Sequence, residues 1–262
     1  MVSKMTNPSL TITASNKNRL KLDNPASQWF IKSIQWQDFQ DFELLIADGG
    51  SDNYEELKTY FAEHKGPIKM RIVQHPIGDV FHRALLNNVG IRNALGTYVM
   101  TTDVDMLLWK GFTNTLMSNL APNRIVESRT MYLKDYITKE IYEGKCDPYN
   151  DIKCLKRGRL KKITSAGGCQ CMHKDTWAKV RGFDESYYGW GSEDWDLYTR
   201  AKINGINVVW IGGSVEAIEL FHQHHPRPTM KQDLEHQEEN KKRLAKISRQ
   251  AVNPNGWGGI KD

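Results

Sequence analysis

Over the first hundred residues, short β-branched runs alternate with longer stretches whose apolar positions recur every three to four residues. Leu10 to Ala14, Glu43 to Ala47, Ile68 to Val73 and Thr97 to Thr102 have strand length and the Val, Ile and Thr content that suits a pleated surface. Between them, Gln28 to Gln37, Asn53 to His64 and Phe81 to Leu95 carry helical period. This β-α-β-α-β-α-β order predicts the α/β class, a mainly parallel Rossmann-like sheet flanked by helices, with ligands gathered at the strand C-termini. Beyond Met106 the pattern loosens into a basic stretch from Lys153 to Lys162 and a Gly-rich turn. A helix around Glu193 to Asn204, a strand around Val208 to Ile211 and a polar helix near Asp233 to Gln250 follow. With neither an internal repeat nor a linker, one domain over 1–262 is expected.

A chain of 262 residues that is 39% hydrophobic is long enough to bury a sizeable core. Its formal charge of +5 is mild and by itself does not imply nucleic acid. No apolar run approaches the roughly 18 residues of a membrane span, and the first fifteen residues lack the pattern of an export signal, so a soluble cytoplasmic protein is expected. Cys146, Cys154, Cys169 and Cys171 match no paired zinc spacing and are read as reduced thiols, with a zinc site built from all four as the alternative.

Three segments carry candidate chemistry. Thr101-Thr102-Asp103-Val104-Asp105-Met106 runs an apolar strand into two carboxylates spaced i, i+2. One can coordinate a divalent metal while the other receives a ribose hydroxyl or a metal-bound water, an arrangement suited to a nucleoside diphosphate. A strand-end turn with solvated acids is the plain alternative. In Phe183-Asp184-Glu185-Ser186-Tyr187-Tyr188-Gly189-Trp190-Gly191-Ser192-Glu193-Asp194-Trp195-Asp196, aromatics and glycines lead into adjacent acids at a helix start. Aromatic faces stack on sugar rings, and the helix dipole favours an ionised carboxylate in the first turn. Capping by Asp194 and core packing of the tryptophans would explain only part of that run. The third segment, Phe221-His222-Gln223-His224-His225-Pro226, offers imidazoles that suit Mn²⁺ or Zn²⁺, against the alternative of a solvated turn.

Taken in order, these segments resemble the GT-A fold glycosyltransferases. Thr13 to Arg19 and Ala47-Asp48-Gly49-Gly50-Ser51-Asp52 are similar to the first-strand loop and acidic Gly-Ser loop of the family-2-like group. Phe81 to Gly90 followed by Asp103-Val104-Asp105, and Gly167-Gly168 before Tyr188 to Asp194, resemble the β1,4-galactosyltransferases, the family-7 C-terminal type. The matched motifs span roughly Thr11 to Pro226.

The resemblance implies a nucleotide-binding half over 1–106, an acceptor and metal half over 107–228, and a C-terminal helix and tail over 229–262. It assigns donor binding to Arg19, Asp48, Phe81, Arg83, Asp103, Gly168 and Trp190, and the metal, Mn²⁺ or Mg²⁺, to Asp103, Asp105, His222 and His225. Asp194 falls on the position of the catalytic base, with Glu193 beside it, and Ser165 near the position that governs room for an N-acetyl group. The chain departs from the galactosyltransferases where Trp195 replaces a third acid, and it has no clear counterpart of their metal-assisting methionine.

The implied reaction is an inverting transfer of a hexose or N-acetylhexosamine from a UDP-sugar to a hydroxyl of a glycan or lipid-linked oligosaccharide, with peripheral membrane contact allowed. The basic residues Lys153, Lys156, Arg157, Arg159, Lys161 and Lys162 favour, as runner-up, a nucleic acid acceptor such as a hydroxylated base of viral DNA. An inactive nucleotide-sugar-binding module and a metal-dependent phosphohydrolase are the competing classes.

Overall fold

The structure is a computed structural model that describes residues 7–157, 167–189, 191–214, 217–225, 231–246 (backbone only over 231–234) and 252–261. Strands β1 (Leu10–Asn16), β2 (Phe42–Asp48), β3 (Lys69–Gln74) and β4 (Tyr98–Asp103) alternate with helices α1 (Pro25–Gln35), α2 (Tyr54–Glu63) and α3 (Arg83–Asn93), in the order the sequence predicts. Helix α1 begins three residues earlier than its apolar pattern because Asn24 caps it, accepting from the amide of Ala26, and Pro25 has no amide to leave unpaired. Strands β1, β2 and β4 run one to three residues past their last apolar position, ending on Asn16, Asp48 and Asp103. Those polar ends form one wall of the site.

The second half contributes β5 (Met106–Leu108), α4 (Phe112–Asn119), β6 (Arg124–Ser128), β7 (Thr130–Tyr132), α5 (Asp135–Tyr142) and α6 (Ile152–Lys156). After these come β8 (Gln170–His173), α7 (Lys174–Val180), α8 (Glu193–Ile203), β9 (Asn207–Ile211), β10 (Leu220–His222) and α9 (Lys231–Leu244). The main sheet has seven strands in the order β3-β2-β1-β4-β8-β6-β9, parallel except for β8, which lies antiparallel between β4 and β6. A second sheet, β5-β10-β7, stands beside it and carries the histidine segment on β10.

Side chains alternate across the main sheet. One face presents Leu10, Ile12, Leu44, Ile46, Met100 and Val126 to Phe30 and Ile34 of α1 and Leu57 and Phe61 of α2. The other face, under α3, α7 and α8, is mixed. Val99, Ile125 and Met172 pack there against Trp177, Phe183 and Leu197. On the same face, Thr13, Thr101, Gln170 and Glu127 are register neighbours in one buried polar row across β1, β4, β8 and β6. Helix α3 matches that row by burying Arg83, Asn87 and Asn88 as well as Ala84 and Leu86.

The cysteines correct the sequence expectation. Cys146 and Cys154 form a disulfide with Cα atoms 5.8 Å apart, while Cys169 and Cys171 are buried free thiols in the main-sheet core. The chain reverses between the paired two because Asp147 accepts from the amides of Tyr149 and Asn150, returning Cys154 to the end of α5. The four therefore do not meet, which removes the zinc alternative, and the bonded pair is of a kind that oxidising surroundings sustain. Among the described residues, no helix is long and apolar enough to cross a membrane.

Candidate active site

Arg83, at the first position of α3, organises the site. Its side chain is 6% exposed and engages four of its five N–H donors. Nε donates to Asp103 at 2.9 Å, Nη1 to Glu193 at 2.8 Å and to Asp194 at 2.9 Å, and Nη2 to the carbonyl of Gly167 at 2.7 Å. One guanidinium thereby ties the end of β4, the start of α8 and the glycine turn before β8 together. Gly167 has a φ of +130°, and a Cβ there would lie 2.8 Å from Oδ2 of Asp194, so glycine is what lets the turn close on that carboxylate.

Three acids around one cation leave a surplus of negative charge. Burial pushes the Glu193 carboxyl up to about 7, reinforced by the neighbouring Asp194 and opposed by Arg83. Burial likewise raises Asp103, with Arg83 opposing. The guanidinium itself resists the burial that would weaken it, because Asp103, Asp194 and Glu193 surround it.

Beside this hub lies a second cluster. Oδ1 of Asp105 is 3.5 Å from Nε2 of His222, and Oδ2 is 3.1 Å from Nε2 of His225. These three residues are the one group among those described whose ligand atoms, one from each, all fall within 4.8 Å of one another. Burial alone would raise the Asp105 carboxyl, but His225, His222 and Arg19 outweigh it and hold the group below the usual carboxylate range. Its Oδ1 is buried without a hydrogen-bond partner. Nη1 of Arg19 stands 3.1 Å from Oδ2 of Asp105 and 3.2 Å from His225, placing a cation against this anion. A buried carboxylate with an unsatisfied oxygen and two imidazoles is a donor set that fits a divalent ion such as Mn²⁺ or Zn²⁺. Asp103 is turned toward Arg83 rather than into this trio.

The remaining donor-side residues frame the strand ends. Asp48 is fully buried and accepts from the amides of Gly50 and Ser51, from the hydroxyl of Ser51 and from Nδ2 of Asn16, so its carboxylate shapes the Gly-Ser loop. Phe81 is half-buried against the cluster of Ala47, Leu86 and Val89. His82 stacks on Tyr188 with centroids 4.2 Å apart, which pins the Tyr188-Gly189 segment to the entrance of α3. Asn240 of α9 holds the same segment by donating to the carbonyl of Tyr188. Gly168 accepts from Thr102 through its carbonyl, and a Cβ there would collide with Thr130. Trp190, Ser165, Arg159, Lys161 and Lys162 lie outside the described residues. Lys153 and Lys156 sit on α6, and Arg157 at its end pairs with Glu140, 2.5 Å away.

The sequence reading missed Glu127. It is fully buried in β6, neither carboxyl oxygen finds a close partner, and Nε2 of the adjacent Gln170 is equally unsatisfied. Burial raises its carboxyl well above the usual range, with Asp194 adding to the effect. An acid inside Arg124-Ile125-Val126-Glu127-Ser128, a run otherwise suited to a buried strand, is the signal that would have found it.

Comparison with known proteins bears on the fold. A family model described as the N-terminal domain of galactosyltransferase matches residues 155–225. Bovine β-1,4-galactosyltransferase 1 is 25% identical over 168 residues, which is 60% of this chain and 36% of that protein, so the chain spans about a third of that relative's length. Staphylococcus aureus TarS 1–349 in complex with UDP-GlcNAc superposes with a TM-score of 0.59 at 11% identity, covering 92% of this chain and 68% of that one. The mannosyltransferase PcManGT of Pyrobaculum calidifontis, in complex with GDP-Man and Mn²⁺, gives 0.57 at 16% identity over 85% and 59%. The chain shares the fold of these GT-A glycosyltransferase structures, and its second half carries a segment similar to the galactosyltransferase family model.

Proposed function

We propose that the chain is a metal-dependent, inverting glycosyltransferase that moves a hexose or N-acetylhexosamine from a UDP-sugar to an acceptor hydroxyl. The observation that carries this reading is the meeting of two clusters at the strand C-termini: the Arg83 hub, which fixes Asp194 and Glu193, and the Asp105, His222 and His225 trio. The UDP-GlcNAc and Mn²⁺ complexes of the structural neighbours support a nucleotide sugar and a divalent ion. Asp105, His222 and His225 would hold the ion, whose chemistry is to neutralise negative charge on the departing diphosphate.

The chain's own residues divide the remaining work. Asp48 and Asn16 hold the loop at the end of β2 in a fixed shape, and Phe81 gives it an apolar floor. Asp194 is the proton acceptor for the attacking hydroxyl: its side chain is 14% exposed, whereas that of Glu193 is 4% exposed. Arg83 keeps the Asp194 carboxylate aimed through a charge-assisted hydrogen bond. Attack from the Asp194 side, opposite the leaving diphosphate, inverts the anomeric centre.

The test is Asp194→Asn. Donor binding should survive, and turnover onto an added acceptor should fall by about 10²- to 10⁴-fold, the usual contribution of a general base. NMR of the product made by the parent protein should report the inverted anomer. Equal loss of donor affinity and turnover, or a retained anomer, would contradict the assignment.

A further inference from the structure

Helix α8 buries Glu193, Asp196, Leu197, Arg200 and Ala201, so its core-facing side is complete without its two aromatic residues. Those two point elsewhere. Trp195, next to Asp194 in sequence, is 48% exposed, and its ring meets Tyr198 edge-on at 5.7 Å and 84°. Tyr198 in turn tilts against Trp210 of β9 at 5.9 Å. Edge-to-face packing restrains the Trp195 ring while about half of the residue stays exposed. Tyr198 lies four residues after Asp194, so the two share a helix face one turn apart. Because β9 is the outermost strand, the three rings form a ladder from the proposed base to the edge of the sheet.

Two cations sit on that ladder. Arg129 covers the Trp210 ring at 4.5 Å and Lys202 the Tyr198 ring at 4.4 Å. Neither forms an ion pair with any described residue, whereas the acids of α8 are all engaged, Glu193 and Asp194 with Arg83 and Asp196 with Arg200. The ladder therefore combines aromatic carbon with two cations that no described acid neutralises. Sugar rings offer C–H faces to aromatics, and a carboxylate or sulfate on a sugar suits the planar donor fork of Arg129. A nucleic-acid backbone would instead call for a longer row of cations at phosphate spacing.

We propose that Trp195, Tyr198 and Trp210, with Arg129 and Lys202, form the binding surface for an acidic oligosaccharide that carries the acceptor hydroxyl. This rests on the transferase reading, because the surface takes its role from its place beside Asp194. The test titrates the full chain, loaded with UDP and Mn²⁺, with a tetrasaccharide of alternating hexuronic acid and N-acetylhexosamine and with its carboxyl-reduced counterpart. The acidic form should bind about tenfold more tightly than the neutral one. Arg129→Gln should abolish that preference, and Trp195→Ala should weaken both ligands about tenfold. Near-UV circular dichroism checks that each variant is folded. UDP binding without binding of either sugar, equal affinity for both, or tighter binding of an oligonucleotide of matched charge would overturn the surface and leave the donor site standing. Sugar selectivity without UDP binding would overturn the transferase reading and keep the surface as a carbohydrate site.

Discussion

Arg83 is the residue on which the site's geometry depends, and its removal separates structure from chemistry. Arg83→Met would leave Asp103, Glu193 and Asp194 close together without their cation. Breaking a buried ion pair from one side costs about 3–5 kcal/mol, so urea unfolding should register a loss of that order. Glu193 adds a pH signature. The folded chain keeps its proton up to about pH 7, whereas an unfolded chain releases it near 4.5. Its contribution to stability is thus full below pH 4.5 and lost as the pH rises through about 7. Glu193→Gln should remove that decline, so the slope of thermal midpoint against pH over this window should be flatter in the variant; an unchanged slope would contradict the burial argument. At this scale much of the site was legible. Asp103, Asp105, Glu193, Asp194, His222 and His225 stand in dense runs whose residue types have few other joint uses. Glu127 was only half legible: an acid inside a strand-like run marks a buried polar position, but its partner appears only once the register sets it beside Gln170.

Among the elements, the legible ones are those whose burial is one-sided or complete. Strands β1 to β4 and helices α1 to α3 bury enough β-branched and helical-period residues to be read directly. Strands β6 and β8 are short and carry buried Glu127 and Gln170 for the polar row, so their composition argues against the place they occupy. The antiparallel insertion of β8 between β4 and β6 has no local cause in the sequence; it follows from the route the chain takes after its crossover. A close approach at the turn from α3 to β4 gives a prediction for this level. A Cβ on Gly96 would collide with the backbone of Leu10 and Thr11, and the Gly96 amide already donates to Thr11 at 2.8 Å. Gly96→Ala should therefore cost about 1–3 kcal/mol in urea unfolding, the usual range for overpacking. An unaltered midpoint would mean that β1 yields more readily than its buried register implies.

For the whole molecule, the first half supplies a sheet edge and the second folds back to complete the site on it. The disulfide fastens the part of the second half that supports β10 and its histidine: Cys146 and Cys154 pack with Leu107, Ile141 and Phe221. Closing so short a loop stabilises by about 2–3 kcal/mol in the chain-entropy treatment. Reductant should lower the thermal midpoint of the parent protein and leave that of the Cys146→Ser, Cys154→Ser variant unchanged; an effect on both would place the sensitivity elsewhere. The pairing was hidden in the sequence because two cysteines eight residues apart look the same free or bonded until the turn at Asp147 brings them together. The two clusters at the strand ends make one demand of the intact chain, that nucleotide and divalent ion bind together. Calorimetric titration of UDP with and without Mn²⁺, on the parent protein and on Asp105→Ala, tests this most directly. The parent should bind UDP with Mn²⁺ at least about tenfold more tightly than without it, and the variant should lose that gain. UDP binding that ignores Mn²⁺, or that survives unchanged in Asp105→Ala, would contradict the assignment of the trio and with it the proposed reaction.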